Sequence, residues 1–228
     1  MKNLLLNFAF LGAATCAFAQ EKVYDDEIDA SSVSGTLDRP NAIGVKPFFA
    51  LGLEDLYSNV SEKVDLYGLN FDYTRALVDG RSGSVELVGL CGFGYGEGSF
   101  SYYDYGSYYY HYNKAEFYLY SMNFAAGLNF RLKFGEAASI YVGPRLGVNM
   151  LSVRCEDGGS EETATSFGAL YGGELGLEFH LAPDGTASLA FAVDYLASTA
   201  TPEFDEEFEG ELDAQSWLYF CVGMKFRF

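Results

Sequence analysis

Residues 118–132 read YLYSMNFAAGLNFRL. Tyr118, Tyr120, Met122, Phe124, Leu128, Phe130 and Leu132 fall on one parity, opposed by Ser121, Asn123, Gly127, Asn129 and Arg131. A helix would gather its apolar residues every three or four positions. Alternation every second residue belongs to a strand whose two faces meet different surroundings.

The same alternation recurs seven more times. Ile43–Leu53, Tyr67–Thr74, Val85–Tyr95, Ile140–Met150, Phe167–Leu181, Leu189–Tyr195 and Leu218–Phe228 each set bulky apolar residues against a face carrying Gly, Ala, Ser, Asn and scattered charges. Asp79-Gly80-Arg81-Ser82-Gly83, Gly135-Glu136-Ala137 and Pro183-Asp184-Gly185 are compact turns between segments two and three, four and five, and six and seven. The other connections, 54–65, 97–115, 155–165 and 198–214, are longer and more polar. Short and long links in strict alternation predict an all-β, eight-stranded antiparallel up-and-down barrel over 43–228, with both chain ends on the short-turn side.

Composition agrees with strands. Among 228 residues there are 26 Gly, 20 Phe and 18 Tyr against one Trp and two His, which favours strands and close backbone approaches over helices. A 49% hydrophobic chain with five prolines is not a disordered acidic tail. The excess of 32 acids over 14 bases, a net charge of −18, excludes nucleic acid as a partner, because phosphate recognition needs clustered Lys and Arg.

Met1–Ala19 (MKNLLLNFAFLGAATCAFA) has a basic start, an apolar middle and an Ala-Phe-Ala end, the pattern of a secretory signal peptide cleaved after Ala19. Its apolar run is short of the roughly 20 residues of a spanning helix. Thr15 before Cys16 argues against lipoprotein processing. Residues 20–42 are acidic and aperiodic and read as a flexible leader. Cys91, Cys155 and Cys221 are an odd set without metal spacing, so they read as packed thiols, with no metal or cofactor expected.

Which face points inward decides what the barrel is. The Gly-rich face is a poor aqueous exterior for a lipocalin-like carrier but suits a narrow lumen, so the apolar face is expected to meet hydrocarbon in a transmembrane barrel. The inner face holds Lys46, Arg131, Lys133, Arg145, Lys225 and Arg227 with Glu54, Asp72, Glu86, Glu174, Glu178 and Asp194. Counted from the turn end, Lys46–Asp72, Glu86–Arg131 and Arg145–Glu174 come level on adjacent strands and are predicted to pair and plug the lumen. Arg75 is the exception on the apolar face, near a turn where it can snorkel. Aromatic girdles are expected at Phe71, Tyr73, Phe130, Phe134, Phe179, Phe226 and Phe228 near the turns, and at Tyr95, Tyr118, Tyr120, Phe167 and Tyr171 near the loops.

The ending Phe220-Cys221-Val222-Gly223-Met224-Lys225-Phe226-Arg227-Phe228 resembles the C-terminal assembly signal of bacterial outer-membrane barrels, with Phe220, Val222, Met224, Phe226 and Phe228 on one face. Phe226 stands where that family often has Tyr. With the export signal and eight segments, 43–228 resembles the small OmpA-type and opacity-type (porin-like) barrels. The resemblance implies an outer-membrane location among lipid and lipopolysaccharide, recognition by the barrel-assembly machinery, periplasmic termini and outward-facing long loops. No peptidoglycan-binding domain is expected after Phe228, and the chain reads as a barrel alone.

Two loops attract interest. Ser99–Asn113 carries Tyr102, Tyr103, Tyr105, Tyr108, Tyr109, Tyr110 and Tyr112, a composition suited to contact with a host or surface glycan or protein, although the favoured reading is that part of it extends strands three and four. Thr201–Asp213 is rich in acids but lacks calcium-loop spacing and reads as solvated surface. Some outer-membrane barrels modify lipid A through a Ser/His pair, yet His180 and His111 lack the His-x-Ser arrangement, so no catalytic residue is expected. The sequence therefore reads as a non-enzymatic structural or surface-interaction barrel; the alternatives are a small low-conductance channel, a lipid A-modifying enzyme and a soluble carrier.

Overall fold

The computed structural model describes residues 40–55, 63–80, 82–104, 111–157, 160–182, 185–204 and 214–228. Eight strands follow one another: β1 (Asn41–Gly52), β2 (Leu66–Asp79), β3 (Gly83–Asp104), β4 (His111–Phe134), β5 (Ala138–Asp157), β6 (Ser160–His180), β7 (Ala187–Ser198) and β8 (Ser216–Arg227). Each pairs antiparallel with the next, and β8 pairs with β1, closing the barrel. Closure pairs every strand edge within the ring, a condition for crossing hydrocarbon. The expected signal peptide and all of the leader before Pro40 lie outside the described residues. Asn41 and Ala42, assigned to the leader by composition, begin β1.

Burial follows the alternation. On β1 and β2 the inward residues are buried and the outward ones exposed, with Ile43, Val45, Leu69 and Phe71 among a broad belt of exposed apolar side chains. On β4 the outward residues from Tyr120 to Leu132 span more than the about 9–11 residues a tilted strand needs to cross the apolar core. The girdles are less distinct than expected, because Phe93, Phe124, Phe191 and Phe220 are exposed between the two groups.

The strand extension read into 97–115 is present, and a second one, within 155–165, departs from the expected loop. Residues 97–104 and 111–115 continue β3 and β4, paired as far as Asp104 and His111. Most of 155–165 likewise belongs to β5 and β6, paired as far as Asp157 and Ser160. By contrast β2 meets β3 only up to Tyr67 and Tyr95, and β6 meets β7 only up to Leu170 and Ser198. Four strands therefore continue past the closed ring as a projecting sheet.

Candidate functional site

Two features can carry function: the filled lumen and the projecting strands. At the turn end the lumen is ionic. Arg131 on β4 donates from Nε and Nη2 to the two carboxylate oxygens of Glu86 on β3, at 2.9 and 3.0 Å. Its Nη1 reaches Glu178 on β6 at 2.6 Å and Ser139 at 2.5 Å. From β8, Arg227 donates to Glu86 at 3.4 Å and to Glu178 at 3.2 Å, and Lys225 lies 3.9 and 4.0 Å from the same pair. The Arg131 guanidinium also stands 5.0 Å from the centre of the Tyr141 ring.

A second ionic group lies alongside. Lys46 on β1 is 3.3 Å from Asp72 on the neighbouring strand and donates across the barrel to Glu174 on β6 at 2.7 Å. Glu174 also accepts from Tyr141 Oη at 3.0 Å and from Arg145, which donates in turn to Asn129 at 2.7 Å. All these side chains are buried apart from a part-buried Arg227. Asp194 stands opposite Glu174 on β7 and accepts the Cys221 thiol at 3.6 Å. Five bases thus face five acids, a balance that a dry lumen requires because an unmatched buried charge costs several kcal/mol, at about 3–5 for a broken pair.

Above the charges comes an amide layer. Asn149 donates to Asn123 Oδ1 at 2.6 Å and accepts from Ser198 at 2.8 Å, while Asn123 donates to Tyr219 Oη at 3.2 Å. Above that, toward the loops, the lumen is apolar: Leu66, Phe117, Leu119, Leu151, Leu196 and Trp217 are fully buried. The Trp217 indole donates to Val64 O at 3.2 Å, pinning the connection before β2 over the barrel mouth. Glycines make room for these side chains. A Cβ on Gly176 would collide with the Tyr141 ring, and one on Gly98 with the Phe117 ring.

Each residue expected in the charge network lies in the lumen, and each of the three adjacent-strand pairs is in contact. The contacts that reach beyond a neighbouring strand, Lys46–Glu174, Arg131–Glu178 and Arg227–Glu86, were not anticipated. Lys133 and Glu54, counted as luminal, sit instead at the ends: Lys133 pairs with Asp79 at a turn, and Glu54 is exposed after β1 and accepts from Ser216. The apolar layer was missed altogether.

On the outer face of the projecting strands, tyrosines and carboxylates mix. Tyr95 and Tyr120 rings lie 5.4 Å apart. Tyr95 donates to Glu97 at 3.0 Å, Tyr118 to Glu116 at 3.4 Å, and Arg154 to Glu156 at 2.6 Å and Glu161 at 2.9 Å. The charge of Glu156 raises the Tyr118 phenol above its ordinary value, keeping it a neutral donor. Tyr102 and Tyr103 belong to β3 and Tyr112 to β4, whereas Tyr105, Tyr108, Tyr109 and Tyr110 lie outside the described residues, as does most of the acidic loop. His180 binds Glu136 O through Nδ1 at 2.9 Å and no hydroxyl is paired with it, so the described residues give no positive evidence of catalysis.

On β8, Phe220, Val222 and Phe226 are exposed on the outer face, as is Phe228 directly after the strand, and Met224 shares their parity. Phe228 exchanges backbone hydrogen bonds with Asn41 at the barrel seam, at 2.9 and 3.2 Å.

An apolar exterior around a closed, charge-balanced lumen settles the fold class. This is an eight-stranded transmembrane β-barrel, the fold of the small outer-membrane barrels. Among solved structures, it is similar to the attachment invasion locus protein Ail of Yersinia pestis, crystallised with the heparin analogue sucrose octasulfate (TM-score 0.51, 15% identity, 84% of this chain and 100% of that one). Neisserial surface protein A (TM-score 0.47, 15% identity, 82% and 97%) and the outer-membrane protease OmpT of Escherichia coli (TM-score 0.49, 8% identity, 85% and 98%) are also similar. No protein-family model matches the chain, and no curated protein matches its sequence.

Proposed function

We propose that this barrel is an exported outer-membrane protein with a sealed lumen, and that it acts as a structural and surface-contact protein through its projecting β3–β6 sheet. The signal-like Met1–Ala19 directs export, Phe228 and its outward row on β8 serve the assembly machinery, and both termini of the barrel face the periplasm. The single observation that carries the reading is the filling of the lumen: ionic and amide layers lie below a cap of fully buried Leu, Phe and Trp side chains. Water has no continuous polar path through such a cap, which supports a sealed barrel over a channel.

The surface role rests on the tyrosine and carboxylate mixture of the projecting strands. Tyrosine gives large contact area at low entropic cost. The carboxylates of Glu97, Glu116, Glu156 and Glu161, with Arg154 already engaged, favour a neutral or cationic partner. A polyanion like the one bound to Ail would meet repulsion here.

The test is purified protein reconstituted in a planar bilayer, with folding checked by heat-modifiable gel mobility. The expected result is a folded barrel with no steady conductance. A stable open level would replace this reading with the small-channel one. For the surface role, binding of the purified barrel to host-cell glycoproteins is expected to fall when Tyr118, Glu116 and Glu156, which lie beyond the closed ring, are changed together to Ser, Gln and Gln.

A further inference from the structure

The apolar belt carries a depression across β2 to β5. Hydrogen-bonded pairing aligns Tyr73, Gly89, Ala126 and Leu146 in a row across β2 to β5, and Phe71, Cys91, Phe124 and Val148 in the next row toward the loops. Gly89 and Ala126 form a low floor, and a Cβ added at Gly89 would meet nothing within 4 Å. Phe71, Phe124 and Leu146 stand around it, each more than two-fifths exposed. The result is an apolar groove of about 750 Å³ on the lipid-facing side of the barrel.

A cation stands at its turn-ward side. Arg75 follows Tyr73 on the same outward face of β2, two residues, or about 7 Å of strand, from the floor. It is exposed and makes no ion pair among the described residues, whereas the other basic residues on the described strands that face the lumen are matched by acids. An arginine on a lipid-facing strand near its turn reaches toward the interface, where its fork suits phosphate.

We propose that the groove and Arg75 form a seat for one anionic phospholipid of the leaflet at the turn end, with an acyl chain over Gly89 and Ala126 and the phosphate on the Arg75 guanidinium. A bulky row without a dent would pack against any chain equally; the floor gives one chain extra contact on three sides, and the charge fixes which end of the lipid sits there. The proposal rests on the membrane-spanning reading, and the test separates the two.

Native mass spectrometry of detergent-solubilised protein with added phosphatidylglycerol is expected to retain one lipid per barrel. Gly89→Leu fills the floor without disturbing the lumen, and Arg75→Gln removes the phosphate partner. Each is expected to cut retention about fivefold or more, the scale of one lost contact of this kind. Val193→Leu, on β7 away from the groove, should leave retention unchanged. Diacylglycerol, which lacks the phosphate, should bind weakly and ignore Arg75→Gln. Equal retention in all variants, or loss of a dimer instead of a lipid in Gly89→Leu, would overturn the proposal. Heat-modifiable mobility of the wild type reports separately on whether the chain is a membrane barrel at all.

Discussion

At the residue scale, Arg131 ties together two acids from different strands. It neutralises Glu86 with a two-pronged contact and reaches Glu178 as well, all three being almost fully buried. Arg131→Met removes the cation and strands both carboxylates in a dry lumen, with only Lys225 and Arg227 left nearby. The expected loss is about 3–5 kcal/mol in urea unfolding from lipid vesicles. Adding Glu86→Gln to the same chain should recover part of it, because the uncompensated charge is then gone. Gly176 offers a steric test: Gly176→Val should fail to give the heat-modifiable form, and Tyr141→Gly in the same chain should restore it, because the collision is with that ring. An unrestored double variant would place the fault in the backbone and not in the ring.

At the element scale, regular alternation exposed the ring-forming part of all eight strands to plain inspection, while the projecting ends were harder to read, those of β5 and β6 above all. The reason is physical. Where Leu119, Leu151 and Val153 point inward, the inner face turns apolar while the outer carries Tyr118, Tyr120, Ser152 and Arg154, so the contrast that marks the lower strands is lost. Tyrosines and serines on the other face then look like loop. The three adjacent-strand charge pairs could be found by counting from a turn, because antiparallel register is local. Lys46–Glu174 and Arg227–Glu86 could not, since they depend on strand tilt and barrel diameter, which no short stretch encodes. The sole tryptophan reports on the apolar cap. Trp217 is fully buried on β8, so its emission is expected to be blue-shifted and poorly quenched by acrylamide, and Leu119→Ser should shift it toward the red. Solvent-like emission from the folded wild type would contradict the cap.

At the scale of the whole molecule, inside and outside have exchanged the roles they hold in a water-soluble protein. Replacing exposed Val148 by Arg puts a charge on the apolar belt. It should cost about 2–4 kcal/mol if that face lies at the hydrocarbon midplane and almost nothing if it faces water. Unfolding from vesicles of defined thickness measures the difference directly.

The charge network also bears on how the barrel is made. Its members come from all eight strands, and the cations of β8 meet carboxylates of β3 and β6. Until the last twelve residues dock against β1, those acids have only part of their complement, and the sheet is an unfinished ring with bare ions along its concave side. Completion is therefore rewarded all at once: the final strand is a latch, and a chain shortened before it leaves an intermediate that cannot rest in an oily environment.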